Sequence, residues 1–108
     1  MRILIPTQDK KTVSEVFGRC LFFALQEEST HSMDYHDNPG HTFAHGAGLQ
    51  AASFVVNQRA DILLTFDLGP KAQEVFKGQP LEIYHVSKEV SLNEALELFR
   101  TGKLKKKF

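Results

Sequence analysis

The stretch GAGLQAASFVVNQRADILLTFDLGPKAQEVF, Gly46 to Phe76, decides the architecture. Leu49, Ala52 and Val56 fall on one helical stripe with Ala51 and Val55 beside it, which predicts a helix from about Gly46 to Gln58. Ile62, Leu63 and Leu64 then form an unbroken apolar run, the pattern of a strand buried on both faces. Gly69 and Pro70 open a second helix, with proline at a first-turn position where no amide hydrogen is missed. Ala72, Val75 and Phe76 are its core face, and Gly78 and Pro80 stop it. Helices that alternate with buried strands imply crossover connections and parallel pairing.

Toward the N-terminus the pattern changes. Ile3 to Ile5 is a second buried run, ended by Pro6, and Thr7 to Gly18 is polar and reads as a loop. Cys20 to Leu25 is another apolar strand. Thr30 to His36 alternates, with Met33 and Tyr35 on one face, as a half-buried edge strand does. No helical periodicity separates these three strands, so an antiparallel meander is expected. Asp37 to His45, rich in His, Gly, Asn and Pro, reads as a loop that is mobile when no ligand is bound. Toward the C-terminus, Leu81 to Val86 is the last strand. Ser91 and Glu94 form a capping box, Leu92, Ala95, Leu96 and Phe99 give i, i+3, i+4, i+7 spacing, and Gly102 is a natural stop. The expectation is one α/β domain over residues 1–108, ordered β β β α β α β α. It has a five-stranded mixed sheet with helices packed on it, the element order of ribonuclease H-like folds.

Thirteen basic and thirteen acidic residues give zero formal charge, which removes the electrostatic case for a nucleic-acid binder. Lys103, Lys105, Lys106 and Lys107 read as a solvated tail. The single cysteine, Cys20, excludes an intrachain disulfide, and a reduced thiol fits a cytoplasmic protein. No apolar run approaches the roughly 20 residues that cross a bilayer, so no membrane association is expected. Met1 to Pro6 does not resemble a signal peptide.

Five segments together resemble the dinitrogenase iron–molybdenum cofactor biosynthesis family. They are RILIP at Arg2 to Pro6, VSEVFGRC at Val13 to Cys20, HGAGLQAA at His45 to Ala52, ADILLTFDLGPKA at Ala60 to Ala72, and NEALELFRTGKL at Asn93 to Leu104. They follow family order and spacing across nearly the whole chain. The resemblance implies a ribonuclease H-like fold and a carrier, not a catalyst, for an iron–sulfur or iron–molybdenum cofactor precursor. Cofactor-assembly proteins would be its partners, and no cofactor would be required for folding. The chain departs from the family where a histidine often precedes the Phe-Gly pair; Val16 stands there.

Read by themselves, the residues give one candidate site. Gly46, Ala47 and Gly48 begin a helix whose first amide hydrogens lack partners and whose dipole is positive there. Gly69 opens a second helix after a buried strand. If the first and fourth strands are neighbours, both helix starts lie at their carboxyl ends, where open α/β sheets bind ligands. Arg19 adds a positive charge suited to an anion. His41 and His45, four residues apart, are candidate metal ligands beside it, alongside the reading as surface histidines on a loop. Cys20 begins an apolar strand and reads as buried and inert rather than as an iron ligand. A small regulatory or protein-interaction module that binds an anion is an alternative function. A metal-dependent nuclease is less well supported, because the first helix carries no Asp or Glu.

Overall fold

The computed structural model describes all 108 residues. Six strands form one sheet: β1 (Arg2–Thr7), β2 (Phe22–Glu27), β3 (Ser32–Asp37), β4 (Ile62–Thr65), β5 (Glu82–His85) and β6 (Lys105–Lys106). Their spatial order is β3-β2-β1-β4-β5-β6. β1 pairs antiparallel with β2 and β2 with β3, whereas β1–β4 and β4–β5 are parallel. The helices are α1 (Ala47–Asn57), α2 (Pro70–Phe76) and α3 (Leu92–Arg100).

Strand alternation sorts the apolar runs into two cores. Leu4, Leu63 and Ile83 face α1 and α2, where they meet Ala51, Ala52, Val55, Ala72 and Phe76. Ile3, Ile5, Ile62 and Leu64 face the other way, toward Leu92, Ala95 and Leu96 of α3. The uninterrupted runs therefore mark a sheet covered on both sides. The start of α3 is capped as its sequence predicts, with Glu94 N donating to Ser91 Oγ at 3.0 Å. Its end is closed by Gly102 at φ 72°, with Lys103 N donating to the Leu98 carbonyl.

Several expectations need correction. The sheet has six strands, not five. The lysine run is not a free tail: Lys105 and Lys106 pair antiparallel with His85 and Tyr84, and Lys107 N donates to Ile83 O at 2.9 Å. Two lysines carry no apolar pattern; backbone pairing makes this strand, with Lys106 Nζ 3.3 Å from Glu82 Oε2 on β5 and Leu104 packed against the core just before it. β1 does not end at Pro6, which sits opposite Phe23. Its carbonyl accepts from Ser14 N at 2.8 Å, and pairing of β1 with β4 is confined to Ile3 and Leu4, so the missing amide breaks no ladder bond. β2 starts at Phe22, leaving Cys20 in the core just before it. The buried face of α1 is Ala47, Ala51, Ala52 and Val55, while Leu49 is 43% exposed. Small side chains on that face let the helix approach the sheet closely.

The connection from β1 to β2 is held as firmly as a strand. Val13 and Phe17 are buried, and Val13 exchanges backbone hydrogen bonds with Val90 and Glu89. Its opening turn is built on Asp9, whose Oδ1 accepts from the amides of Lys11 and Thr12 at 2.8 Å each. Those backbone bonds, Thr12 first, hold the Asp9 carboxyl below its ordinary value of 3.8. A depressed carboxyl adds stability that is present above the unfolded value and lost as pH falls through the folded one. Asp9→Ala should therefore cost about 1 kcal/mol or less at pH 7, the carboxylate being exposed. The difference from the unmodified protein should begin to shrink below pH 3.8 and go on shrinking as pH falls through the lower folded value, in urea titrations at stepped pH. A difference that persists at lower pH would contradict this role.

Candidate functional site

The carboxyl ends of β1 and β4 lie side by side, and three segments converge there. The segment Val16–Arg19 follows β1, Gly46–Gly48 begins α1, and Asp67–Lys71 joins β4 to α2. Together they line an open crevice of about 360 Å³. Five residues named from the sequence, Arg19, Gly46, Ala47, Gly48 and Gly69, meet at this crevice, with Val16, Phe17, Gly18, Asp67 and Lys71 beside them.

The approach of α1 depends on two glycines, Gly18 and Gly40, that carry no local sequence pattern. A Cβ on Gly18 would lie 2.9 Å from Gly48 N, and one on Gly40 would lie 2.5 Å from Ala47 O and 2.8 Å from Gly18 O. Backbone thus packs on backbone, and Asn38 locks the arrangement. Fully buried, its Nδ2 donates to Gly18 O at 3.0 Å and to Cys20 O at 2.8 Å, and its Oδ1 accepts from Gly40 N at 2.9 Å. Asn38 caps a 3-10 helix over Pro39–Thr42 with proline in its first turn. The segment Asp37 to His45 is therefore anchored at its start, not a free loop throughout.

Gly46 adopts φ 76°, the left-handed region, as the residue before α1. The amides of Ala47, Gly48 and Leu49 have no backbone partner and no capping side chain. Gly48 and Gly69 meet no atom within 4 Å of an added Cβ, so at these two positions the crevice is open to backbone. Arg19 supplies a guanidinium and Lys71 an ammonium, with the Asp67 carboxylate opposing them. The arrangement offers amide donors and two cations to a ligand that can approach main chain closely, which is suited to an anion.

His41 and His45 do not line this crevice. His41 sits in the 3-10 helix and His45 is exposed before Gly46, so the four-residue spacing is not a helical face. No three His, Cys, Asp or Glu side chains converge anywhere in the molecule. Cys20 is sealed in the core, with Asn38 Nδ2 3.5 Å from its sulfur, and burial pushes its thiol up to about 12. It is a packing residue, not a thiolate. Asp9 is committed to its own turn and α1 carries no acid, so no nuclease-like set of carboxylates surrounds β1 and β4.

The fold and crevice define a small mixed α/β domain with an anion-compatible site at the ends of its parallel strands. Residues 1–102 match the family described as dinitrogenase iron–molybdenum cofactor, and the chain belongs to that family. An uncharacterized protein of Methanocaldococcus jannaschii is 31% identical, with the match covering 98% of this chain and 91% of the relative. The apo form of the orange protein from Desulfovibrio gigas superposes with a TM-score of 0.89 at 26% identity, covering 98% of this chain and 92% of that one. A Thermotoga protein assigned to NifB and to the DUF35 family shares the fold at a TM-score of 0.81 and 23% identity, covering 97% and 91%. No helix here is long and apolar enough to cross a membrane.

Proposed function

We propose that this domain binds and carries an anionic iron–sulfur or iron–molybdenum cofactor precursor in the crevice at the ends of β1 and β4, and that it is a carrier and not a catalyst. The observation that carries the reading is the pairing of unpartnered amides at Ala47 to Leu49 with open space at Gly48 and Gly69. Membership of a cofactor-related family supplies the class of cargo. An apo form among the similar structures is in keeping with a domain that folds without its cargo.

The donor set fits loose retention. Cys20 is out of reach and no side-chain cage exists, so Arg19, Lys71 and the backbone of Gly46, Ala47, Gly48 and Gly69 would hold the cargo by charge-assisted hydrogen bonds. His41 and His45 would add metal ligation from the neighbouring segment. A carrier needs such release, and the proposed partners are cofactor-assembly proteins in the cytoplasm. The strand order β3-β2-β1-β4-β5 fits the ribonuclease H-like scaffold expected from the sequence.

Gly48→Ala tests the site with an unusual combination of outcomes. The added Cβ meets nothing in the protein, and alanine in a helix gains about 0.5–1 kcal/mol over glycine. The variant should be as stable as the unmodified protein or more so, yet take up an iron–sulfur precursor about tenfold more weakly, equivalent to about 1.4 kcal/mol. Unchanged uptake would move the cargo elsewhere. A parallel His41→Ala/His45→Ala variant reports on the histidines, and uptake equal to that of the unmodified protein removes them from the site.

A further inference from the structure

Arg19 lines the crevice, but its guanidinium is already engaged. Nη1 donates to the carbonyl of Phe43 and Nη2 to that of Ala44 at 2.9 Å. These acceptors belong to exposed residues on the segment that leads from the 3-10 helix into Gly46. The amides of Ala44 and His45 form no backbone hydrogen bond, and Phe43 N donates only to Gly40 O at 3.1 Å. Beyond Gly40, Arg19 is thus the one side chain that hydrogen-bonds to this segment. From these contacts we infer that Arg19 is a specificity-determining latch: it exchanges the Phe43 and Ala44 carbonyls for an anion in the crevice, and the exchange releases residues 43–45.

The inference rests on the crevice being the cargo site, and it adds which cargo is selected and what the chain does on loading. The two N–H groups in use, one from each terminal nitrogen, are the pair that a planar guanidinium presents to a bidentate anion. Neutral carbonyls are weaker acceptors than an anion, whose hydrogen bonds to guanidinium are roughly twice as strong. A neutral ligand therefore leaves the latch shut, and a multiply charged one opens it. Opening frees Phe43, which is 41% exposed even when latched, and His45 one residue beyond the second carbonyl. Loading is thereby reported on the surface beside the crevice, where a delivery or acceptor protein would meet it. Arg19→Lys keeps a charge but loses the fork, so it should bind more weakly and latch poorly.

The test uses the full chain labelled with nitrogen-15 and inorganic molybdate as the probe, with sodium chloride at matched ionic strength as control. Molybdate should shift the amide resonances of Ala47 and Gly48. It should also lower the backbone order parameters of Ala44 and His45 from near about 0.85 toward about 0.6, the range that separates rigid from flexible backbone. Arg19→Ala should show the low values without molybdate and bind it about tenfold more weakly. Shifts at Ala47 and Gly48 with unchanged order at Ala44 and His45 would overturn the latch and leave the crevice as the site. Absence of any shift at Ala47 and Gly48 would overturn both the anion site and the latch.

Discussion

Gly40→Ala is expected to destabilise the protein by about 3 kcal/mol or more, the upper end of what overpacking usually costs. The new Cβ would meet the carbonyl oxygens of Ala47 at 2.5 Å and Gly18 at 2.8 Å, and both are backbone atoms that cannot rotate away. Relief requires the first turn of α1 to lift off the segment after β1, and that turn forms one wall of the crevice. The urea midpoint should fall with an unchanged slope, since the denatured chain is unaffected. Gly48→Ala, eight residues away in the same contact region, is the control because its Cβ meets open space. Equal midpoints for the two variants would contradict the packing described.

Asn38→Ala should be comparably severe, at about 3 kcal/mol. Its amide nitrogen donates to the Gly18 and Cys20 carbonyls and its oxygen accepts from Gly40 N, and the side chain is fully buried. A buried backbone group left without its partner costs about 1–3 kcal/mol, and the substitution leaves three such groups with no protein replacement. Against a total of about 5–15 kcal/mol for an ordinary domain this is a large fraction. The segments it joins are the one before β2, the 3-10 helix and, through Gly18, the start of α1. Thermal or urea unfolding that shows a loss below about 1 kcal/mol would mean that water reaches these groups.

The element order was legible because Ile3–Ile5 and Ile62–Leu64 can be buried on both faces only in a covered sheet, and because the α2 and α3 boundaries carry proline, glycine and a Ser91–Glu94 cap. Crevice residues Arg19, Gly46, Ala47, Gly48 and Gly69 followed from where parallel strands end. What was missed has no local pattern. Gly18 and Gly40 look like turn glycines, and only the meeting of distant segments reveals close approach. Asn38-Pro39 does carry a readable signal, an asparagine cap followed by proline in a first turn. β6 is a pairing of backbone, invisible in two lysines. Asp67 and Lys71 complete the crevice through the bend after β4, whose direction no spacing rule fixes.

Loading decides whether the domain carries a metal-cofactor precursor in this crevice. The protein and its Cys20→Ala variant are incubated without oxygen with an iron–sulfur cofactor precursor and passed through gel filtration, and the protein peak is assayed for iron and for visible charge-transfer absorption. Iron and colour co-eluting with both proteins, and much reduced with Gly48→Ala, is the predicted result. A colourless, metal-free peak from the unmodified protein would contradict the carrier function, and uptake that disappears in Cys20→Ala while the variant stays folded would place the cargo on the buried thiol and not in the crevice.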